Sequence, residues 1–472
     1  MIFNSFEFLW LFPIIFSIYY LVTMRHAIIA HYPQIGNYLL IIVSYALYIK
    51  WKPIYALVLL GVTAITYSFA LLIERRDAYG RKKYLVYSGI ILSVLPLILF
   101  KYYNFISTSL SEGLSSIGIT IGLPGLNWAM PLGISFFTLQ AIGYLADVYL
   151  KRIKAEHNWW DYMLFVSFFP QIASGPISKA KDLLPQIKAN RAFNYNQAVQ
   201  GLKWLLWGMF IKVVVADSMG ERVDIVYNDY INNGGVTCLI TSFLYSFQIY
   251  CDFAGYSFMA VGVGELMGFE LINNFRRPYF SMTVTEFWHR WHISLSTWLK
   301  DYIYIPLGGN RCSKIRNYWN IFITFLVSGI WHGANWTFIV WGMLHGIFQI
   351  IEKMFGLSKK ESFGVIKWIR IILAFIIVDF TWIFFRMPSL TDAIKFISHI
   401  LSNFEYSFEG LPYRFLLILI VLIKDLVDEY DIKKMRLMHS ENVIVRWVTY
   451  LVLISFICIS GVYGGQFIYS GF

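Results

Sequence analysis

Long apolar runs alternate with short polar segments along almost the whole chain. A run of roughly 17–25 apolar residues can cross a bilayer as a helix. The pattern predicts about eleven spans, at residues 6–24, 35–49, 53–73, 84–100, 128–150, 198–216, 238–272, 319–352, 367–386, 411–426 and 443–463. We expect 238–272 to be long enough to contain a break, 319–352 to be interrupted, and the short apolar segments near 160–176 and 284–299 to be re-entrant or interfacial helices.

Composition agrees with an all-α integral membrane protein. Of the 472 residues, 58% are hydrophobic and only 14% are charged, whereas soluble domains are about a quarter charged. The sequence shows no repeat, low-complexity tract or flexible linker. We therefore predict one polytopic membrane domain over residues 1–472.

The net charge of +11 comes from short Lys/Arg clusters between the apolar runs. Nucleic-acid binding would need a continuous basic face, so a nucleic-acid partner is not expected. Basic loops of membrane proteins face the cytoplasm. Placing them there puts both termini and the stretch from Asn104 to Trp128 outside.

The four cysteines, Cys238, Cys251, Cys312 and Cys458, are scattered along the chain. They form no CxxC or Cys/His spacing, and the histidines form no HExxH motif. We predict neither a disulfide framework nor a metal site.

The segment 285–311, TEFWHRWHISLSTWLKDYIYIPLGGNR, is the densest in functional side chains. Drawn as one helix over 285–299, it places His292 on an apolar face with Trp288, Leu295 and Leu299. Glu286 and Arg290 form an i, i+4 pair elsewhere on its surface, and His289 faces headgroups or water. His292 is then either a functional imidazole or a buried histidine bonded to a backbone carbonyl.

The apolar segment 325–346 contains His332 among small residues, and an ionisable group at membrane depth indicates function. His345, nearer a span end, is expected to bond a neighbouring helix. Two further acids, Asp252 and Asp379, lie within apolar runs, and each should pair with a basic or hydroxyl group.

Histidine near neutral pH suits a general base. The two imidazoles fit a base that activates a hydroxyl toward an acyl donor, and they also fit a proton-coupled transporter. The basic loop from Asn310 to Arg316 could contact an anionic donor, a carrier or anionic lipid.

Several segments carry a resemblance to a known family: EFWHRWHISLSTWLKDYIYIPLGGNR, GIWHGANWTFIVWGMLHG, FFPQIASGPI, LQAIGYLADVYL and FNSFEFLWLF. The chain resembles the membrane-bound O-acyltransferase (MBOAT) family and, within it, the bacterial branch that O-acetylates alginate. The branch that D-alanylates teichoic acids is a more distant relative.

The resemblance implies helices around a central tunnel, with residues 285–346 as catalytic core and His332 and His292 as catalytic residues. It implies acetyl transfer from a cytoplasmic thioester, acetyl-CoA or an acyl carrier, to an extracytoplasmic polysaccharide such as alginate, cellulose or peptidoglycan. No bound cofactor is implied. The expected location is the bacterial cytoplasmic membrane, and the expected partner is an SGNH-type acetyltransferase. D-alanyl transfer is the alternative within the family.

The tail, residues 464–472, ends in FIYSGF. The resemblance implies that Tyr469 accepts the acyl group and presents it outward. A thiol has a pKa near 8.5 and a phenol near 10, so a tyrosyl ester keeps most of the transfer potential of a thioester. The residues alone instead favour an aromatic anchor at the interface; the topology and the resemblance reverse that preference.

Overall fold

The computed structural model describes residues 3–29, 35–75, 79–120, 122–172, 175–360, 362–407, 412–462 and 468. Within these ranges the chain is helical and contains no strand, which confirms the predicted fold class. Helices of the first half are α1 Phe6–Ile29, α2 Ile35–Trp51, α3 Pro53–Arg75, α4 Tyr79–Leu97, α5 Tyr103–Ser115, α6 Ile134–Tyr149, α7 Trp159–Ser167, α8 Phe169–Ile172, α9 Ala180–Lys188, α10 Tyr195–Met209 and α11 Asp217–Asn228.

Helices of the second half include the segments predicted to carry the site. They are α12 Gly235–Leu266, α13 Val284–Arg290, α14 Ile293–Leu299, α15 Lys314–His332, α16 Trp336–Met354, α17 Gly364–Arg386, α18 Leu390–Ser402, α19 Pro412–Glu429 and α20 Val443–Ser460. Short 3₁₀ turns lie at Tyr230–Asn232, Pro278–Phe280, Leu357–Lys359, Lys433–Met435 and Leu437–His439.

Three π-helical turns interrupt the α-helical pattern. They lie at Ile98–Tyr102, between α4 and α5, at Phe210–Ala216, between α10 and α11, and at Lys300–Tyr304, after α14. Such turns are rare and often mark functional sites. Each of the three contains one lysine: Lys101, Lys212 or Lys300.

Seven of the described helical runs are long and apolar enough to cross a membrane. They are Phe6–Thr23, Pro53–Arg75, Lys82–Ser115, Tyr195–Asn228, Gly235–Leu266, Gly364–Arg386 and Val443–Ser460. The other predicted spans correspond to helices that are shorter or more polar. The chain is thus a multi-pass membrane protein.

Two predicted boundaries are wrong. The run 238–272 is unbroken as far as Leu266, where the 32-residue helix α12 ends. The span predicted to end at residue 100 continues as helix, since α5 extends to Ser115.

Helix α12 forms the buried centre of the molecule and packs closely against α10. A Cβ on Gly208 would lie 2.6 Å from the carbonyl oxygen of Gly255, and one on Gly201 would lie 2.7 Å from that of Gly262. The glycines therefore let the two backbones approach. This close packing fixes the position of the part of α12 that carries Asp252 and Phe253.

The predicted interruption of 319–352 is confirmed. Helices α15 and α16 form a hairpin whose turn follows His332. A Cβ on Gly333 would lie 2.1 Å from the Phe338 ring, so this turn needs glycine. The Asn335 side chain then caps α16 by accepting the Thr337 N–H at 3.1 Å.

Candidate functional site

His332 is the last residue of α15 and is 1% exposed. Its Nδ1 lies 2.7 Å from the Ser328 carbonyl oxygen. A carbonyl only accepts hydrogen bonds, so Nδ1 carries the proton and Nε2 carries the lone pair. The rings of Trp331, Trp341 and Phe385 surround the imidazole at centroid distances of 4.9, 4.7 and 5.6 Å. The site therefore holds a neutral imidazole with Nε2 as its basic atom.

Lys101 secures the end of α15 and was not predicted as a site residue. Its ammonium donates to the carbonyl oxygens of Trp331 at 2.6 Å and His332 at 3.2 Å, and to Ser135 Oγ at 3.3 Å. The C-terminus of a helix carries negative partial charge. Lys101 thus fixes the backbone of His332.

His292 does not lie within a continuous helix, contrary to the prediction for 285–299. The segment is two short helices, α13 and α14, and His292 between them has φ 43° and ψ 53°, the left-handed conformation. The shared face with Trp288, Leu295 and Leu299 is therefore wrong as drawn. The kink nevertheless buries His292 completely.

A loop distant in sequence holds this kink. The Asn274 backbone oxygen accepts the Ile293 N–H at 3.0 Å, and its side-chain oxygen accepts the Ser294 N–H at 3.0 Å. Ser294 Oγ in turn accepts the Ile177 N–H at 3.0 Å. Asn274 thereby accepts hydrogen bonds from the first two N–H groups of α14, which have no partner within that helix.

The structure brings His292 and His332 close to the same indole. The Trp331 ring centroid lies 5.9 Å from that of His292 and 4.9 Å from that of His332. Neither ring nitrogen of His292 has a hydrogen-bond partner among the described residues. A buried polar group in this state is costly, and a hydrogen bond to a substrate would remove that cost. Its expected alternative, a bond to a backbone carbonyl, is not seen there.

The surroundings of His345 and His289 agree with the predictions for these two histidines. His345 is buried, accepts the Trp288 Nε1–H at 3.2 Å and lies 3.0 Å from Thr381 Oγ1 in α17. His289 is exposed. Glu286 and Arg290 form the expected ion pair at 2.7 Å.

A basic cavity of about 870 Å³ opens beside α13, α15 and α16. Its lining includes Lys300, Lys314, Lys353, His289 and Trp288. Among the described residues that line it, neither His292 nor His332 occurs. Trp288 packs on Trp341 at 5.7 Å, and Trp341 packs on His332, so these two indoles connect the cavity lining to the base.

The two intramembrane acids pair as predicted. Asp379 accepts hydrogen bonds from Ser242 at 3.2 Å and Ser246 at 2.6 Å. Asp252 pairs with Lys212 at 2.5 Å. Its second oxygen accepts the N–H of Ile468 at 2.8 Å, so a tail residue contacts the protein interior.

Tyr469 itself lies outside the described residues, as does the rest of 464–472 apart from Ile468. Ile468 is half-buried and packs against the main core. The next residue of α12 after Asp252 is Phe253, whose ring lies 4.7 Å from His292. The described part of the tail therefore contacts the same helix that contacts His292.

Sequence reasoning missed Lys101, Lys212 and Asn274. Lys101 follows directly after the predicted end of a span, and Lys212 lies within one, in FIKVVV. A charged residue at that depth is a usable signal. Asn274 gave none, because its role depends on contacts that only the fold creates.

Within the described ranges, no three His, Cys, Asp or Glu side chains converge as metal ligands. The site's groups are instead an imidazole base, a second imidazole and an ammonium ion beside a basic cavity. Such groups can remove a proton, stabilise developing negative charge and bind an anionic substrate.

Known proteins are similar to this chain over most of its length. The model of the membrane-bound O-acyltransferase family matches residues 150–390. The probable alginate O-acetylase AlgI of Pseudomonas aeruginosa is 38% identical over 397 residues, covering 83% of this chain and 73% of that protein. The peptidoglycan O-acetyltransferase of Helicobacter pylori is 36% identical, covering 75% and 72%.

A third relative has a different acyl group in its name. The teichoic acid D-alanyltransferase of Streptococcus thermophilus is 31% identical over 332 residues, which cover 68% of this chain and 72% of that protein. The resemblance noted in the sequence is thereby confirmed. The chain belongs to the membrane-bound O-acyltransferase family and is a multi-pass bacterial membrane O-acetyltransferase.

Proposed function

We propose that the chain transfers an acetyl group from a cytoplasmic thioester, acetyl-CoA, to Tyr469, and that the acetyl-tyrosine then supplies O-acetylation of an extracytoplasmic polysaccharide. The observation that carries this proposal is the hydrogen bond from the Ile468 N–H to Asp252. It fixes the neighbour of Tyr469 on the helix whose Phe253 contacts His292.

The basic cavity supports an anionic donor. Coenzyme A carries phosphate groups, and Lys300, Lys314 and Lys353 supply positive charge around the 870 Å³ space. The basic loop from Asn310 to Arg316 contributes Lys314 to this lining. The proposal orients the cavity toward the cytoplasm, in agreement with the distribution of basic loops.

The transfer step follows from the state of the two imidazoles. His332 Nε2 takes the phenol proton of Tyr469, and the phenolate oxygen attacks the thioester carbonyl carbon. The new C–O bond forms as the C–S bond breaks, and the proton passes from His332 to the leaving thiolate. His292, buried at 0% exposure, donates a hydrogen bond to the carbonyl oxygen as it gains charge.

The second transfer restores the enzyme. A sugar hydroxyl attacks the acetyl-tyrosine, the aryl ester bond breaks, and the phenol regains a proton from that hydroxyl. An SGNH-type partner outside the membrane performs or completes this step. The names of the relatives, an alginate O-acetylase and a peptidoglycan O-acetyltransferase, support a polysaccharide acceptor of either kind.

Labelling of the purified protein tests the relay. Proteoliposomes are incubated with [¹⁴C-acetyl]acetyl-CoA, denatured and assayed for protein-bound label that hydroxylamine releases. We expect label on the wild type, none on Tyr469→Phe and none on His332→Ala. Tyr463→Phe, a change at the tyrosine directly before the tail, is the matched control and should retain label.

The remaining outcomes separate the alternatives. Label on Tyr469→Phe equal to that of the wild type would reject the acyl-tyrosine. Label from a D-alanyl carrier thioester but not from acetyl-CoA would favour the D-alanyl reaction, which the teichoic acid relative suggests. Passage of substrate with no covalent label from either donor would favour a transporter.

A further inference from the structure

A buried charge cluster lies behind α12, outside the histidine pair. Lys212, in the π turn Phe210–Ala216, has a completely buried side chain. Its ammonium donates to Asp217 Oδ1 at 2.6 Å and to Asp252 Oδ1 at 2.5 Å. One ammonium therefore faces two carboxyl groups, and the cluster keeps acceptor capacity for another N–H donor.

The tail supplies that donor. Lys212 occupies Oδ1 of Asp252, and Oδ2 accepts the Ile468 N–H at 2.8 Å. Asp252 is 2% exposed, so water competes little for this bond. A hydrogen bond to a buried charged group is among the strong ones in proteins.

A second contact ties the start of the same segment to the same turn. The N–H of Val462, just beyond the end of α20, donates to the Val213 carbonyl oxygen at 2.9 Å. Val213 follows Lys212 directly. Both contacts use backbone N–H groups, one just before the tail and one within it, so this binding does not depend on the side chains at those positions.

We propose that Lys212 and Asp252 form an intramolecular docking site for the backbone of the chain's own tail, and that this site positions Tyr469 for acylation. The inference rests on the proposed function for the role of Tyr469. Asp252 is the positioning residue, because its carboxylate holds the amide adjacent to Tyr469 in sequence. Lys212 orients that carboxylate and leaves the correct oxygen free.

A thiol reporter on the tail tests docking without requiring catalysis. Ser470→Cys is introduced in a chain carrying Cys312→Ser and Cys458→Ser, which removes the two exposed native thiols. Labelling by a membrane-impermeant maleimide is then followed in proteoliposomes. Asp252→Asn should accelerate labelling about tenfold or more, since its amide group donates where the tail needs an acceptor.

The control for this variant is Asp379→Asn. Asp379 is also an intramembrane acid, but it bonds Ser242 and Ser246, so labelling should keep the parent rate. Lys212 retains Asp217 as a partner in Asp252→Asn, which avoids leaving a buried ammonium unpaired. Equal labelling rates of Asp252→Asn and Asp379→Asn would overturn the docking site.

A second pair of variants changes the tail and leaves the acid intact. Ile468→Pro removes the N–H donor, whereas Ile468→Val keeps it. We expect fast labelling and a matching fall in acetyl-tyrosine formation for the proline variant only. If labelling rises in Ile468→Pro while acetyl-tyrosine formation stays normal, the tail docks but docking does not position Tyr469, and the positioning role is wrong. If labelling does not rise, the docking site itself is wrong. If labelling rises but the parent chain forms no acetyl-tyrosine, docking holds and the acyl-tyrosine relay fails.

Discussion

At the residue scale, the site consists of a base that the sequence indicated and an anchor that it did not. His332 stood out as an ionisable group among small and apolar residues. Lys101, which bonds the carbonyl oxygens of Trp331 and His332, lies about 230 residues earlier in the chain. No local pattern connects two such positions, so the pairing could only come from the fold.

Replacing Lys101 by Met should lower kcat for acetyl transfer about tenfold to hundredfold, because a small displacement of a catalytic group has effects of this size. The KM for acetyl-CoA should change little, since Lys101 does not line the basic cavity. Steady-state kinetics in proteoliposomes measure both constants, and Lys101→Arg should restore part of the rate.

Tyr102→Phe is the control for Lys101. The Tyr102 hydroxyl donates to the Ile330 carbonyl oxygen at 2.9 Å, near the same helix end but two residues before His332. Its loss should affect kcat far less. A Lys101→Met enzyme with the kcat of the wild type would contradict the anchoring role.

At the element scale, hydrophobic periodicity predicted the helices well and the kink poorly. The 3.6-residue pattern of 285–299 favours one helix, yet Asn274 binds the backbone of Ile293 and Ser294 and divides it in two. Tertiary hydrogen bonds here outweigh local preference. The hairpin of α15 and α16 was predictable because glycine and asparagine mark its turn within the sequence itself.

At the kink, glycine should stabilise the protein more than alanine does, which is the reverse of their order within a helix. At a left-handed position a Cβ costs about 1–2 kcal/mol, so His292→Gly should be more stable than His292→Ala by about 1 kcal/mol. A continuous helix would favour alanine by about 1 kcal/mol. Thermal unfolding of the two purified variants decides the sign.

Thr297, inside α14, provides the comparison for that measurement. There the ordinary helical order should hold, with Thr297→Ala more stable than Thr297→Gly. Alanine ranking above glycine at both positions would mean that the left-handed conformation of His292 does not persist in the membrane.

At the scale of the whole molecule, the apolar pattern was sufficient for the class of protein and for most helices. The pattern did not predict that α12 is an unbroken helix buried within the protein. It also did not predict where the tail binds, because the contact with Asp252 involves a backbone amide. Backbone groups are the same in every residue, so sequence patterns carry little information about where they bind.

The proposed orientation can be read from thiol labelling of intact cells. Cys312, exposed in the basic loop after α14, should react with an impermeant maleimide only after the membrane is opened, because basic loops stay inside. A cysteine at Ser116, exposed beyond α5, should react at once. Cys458→Ser removes the other exposed thiol, and labelling of Cys312 from outside would invert the topology.

The three π turns give these helices an unusual sensitivity to length. A π turn contains one residue more than a regular α-helical turn. Each α-helical residue corresponds to a rotation of about 100° around the helix axis. Deleting a single residue near Lys101, Lys212 or Lys300 would restore a regular helix and turn everything beyond it by that angle. Insertions and deletions in these helices, more than substitutions, are therefore the changes that would separate the histidines, the tail and the basic cavity from one another.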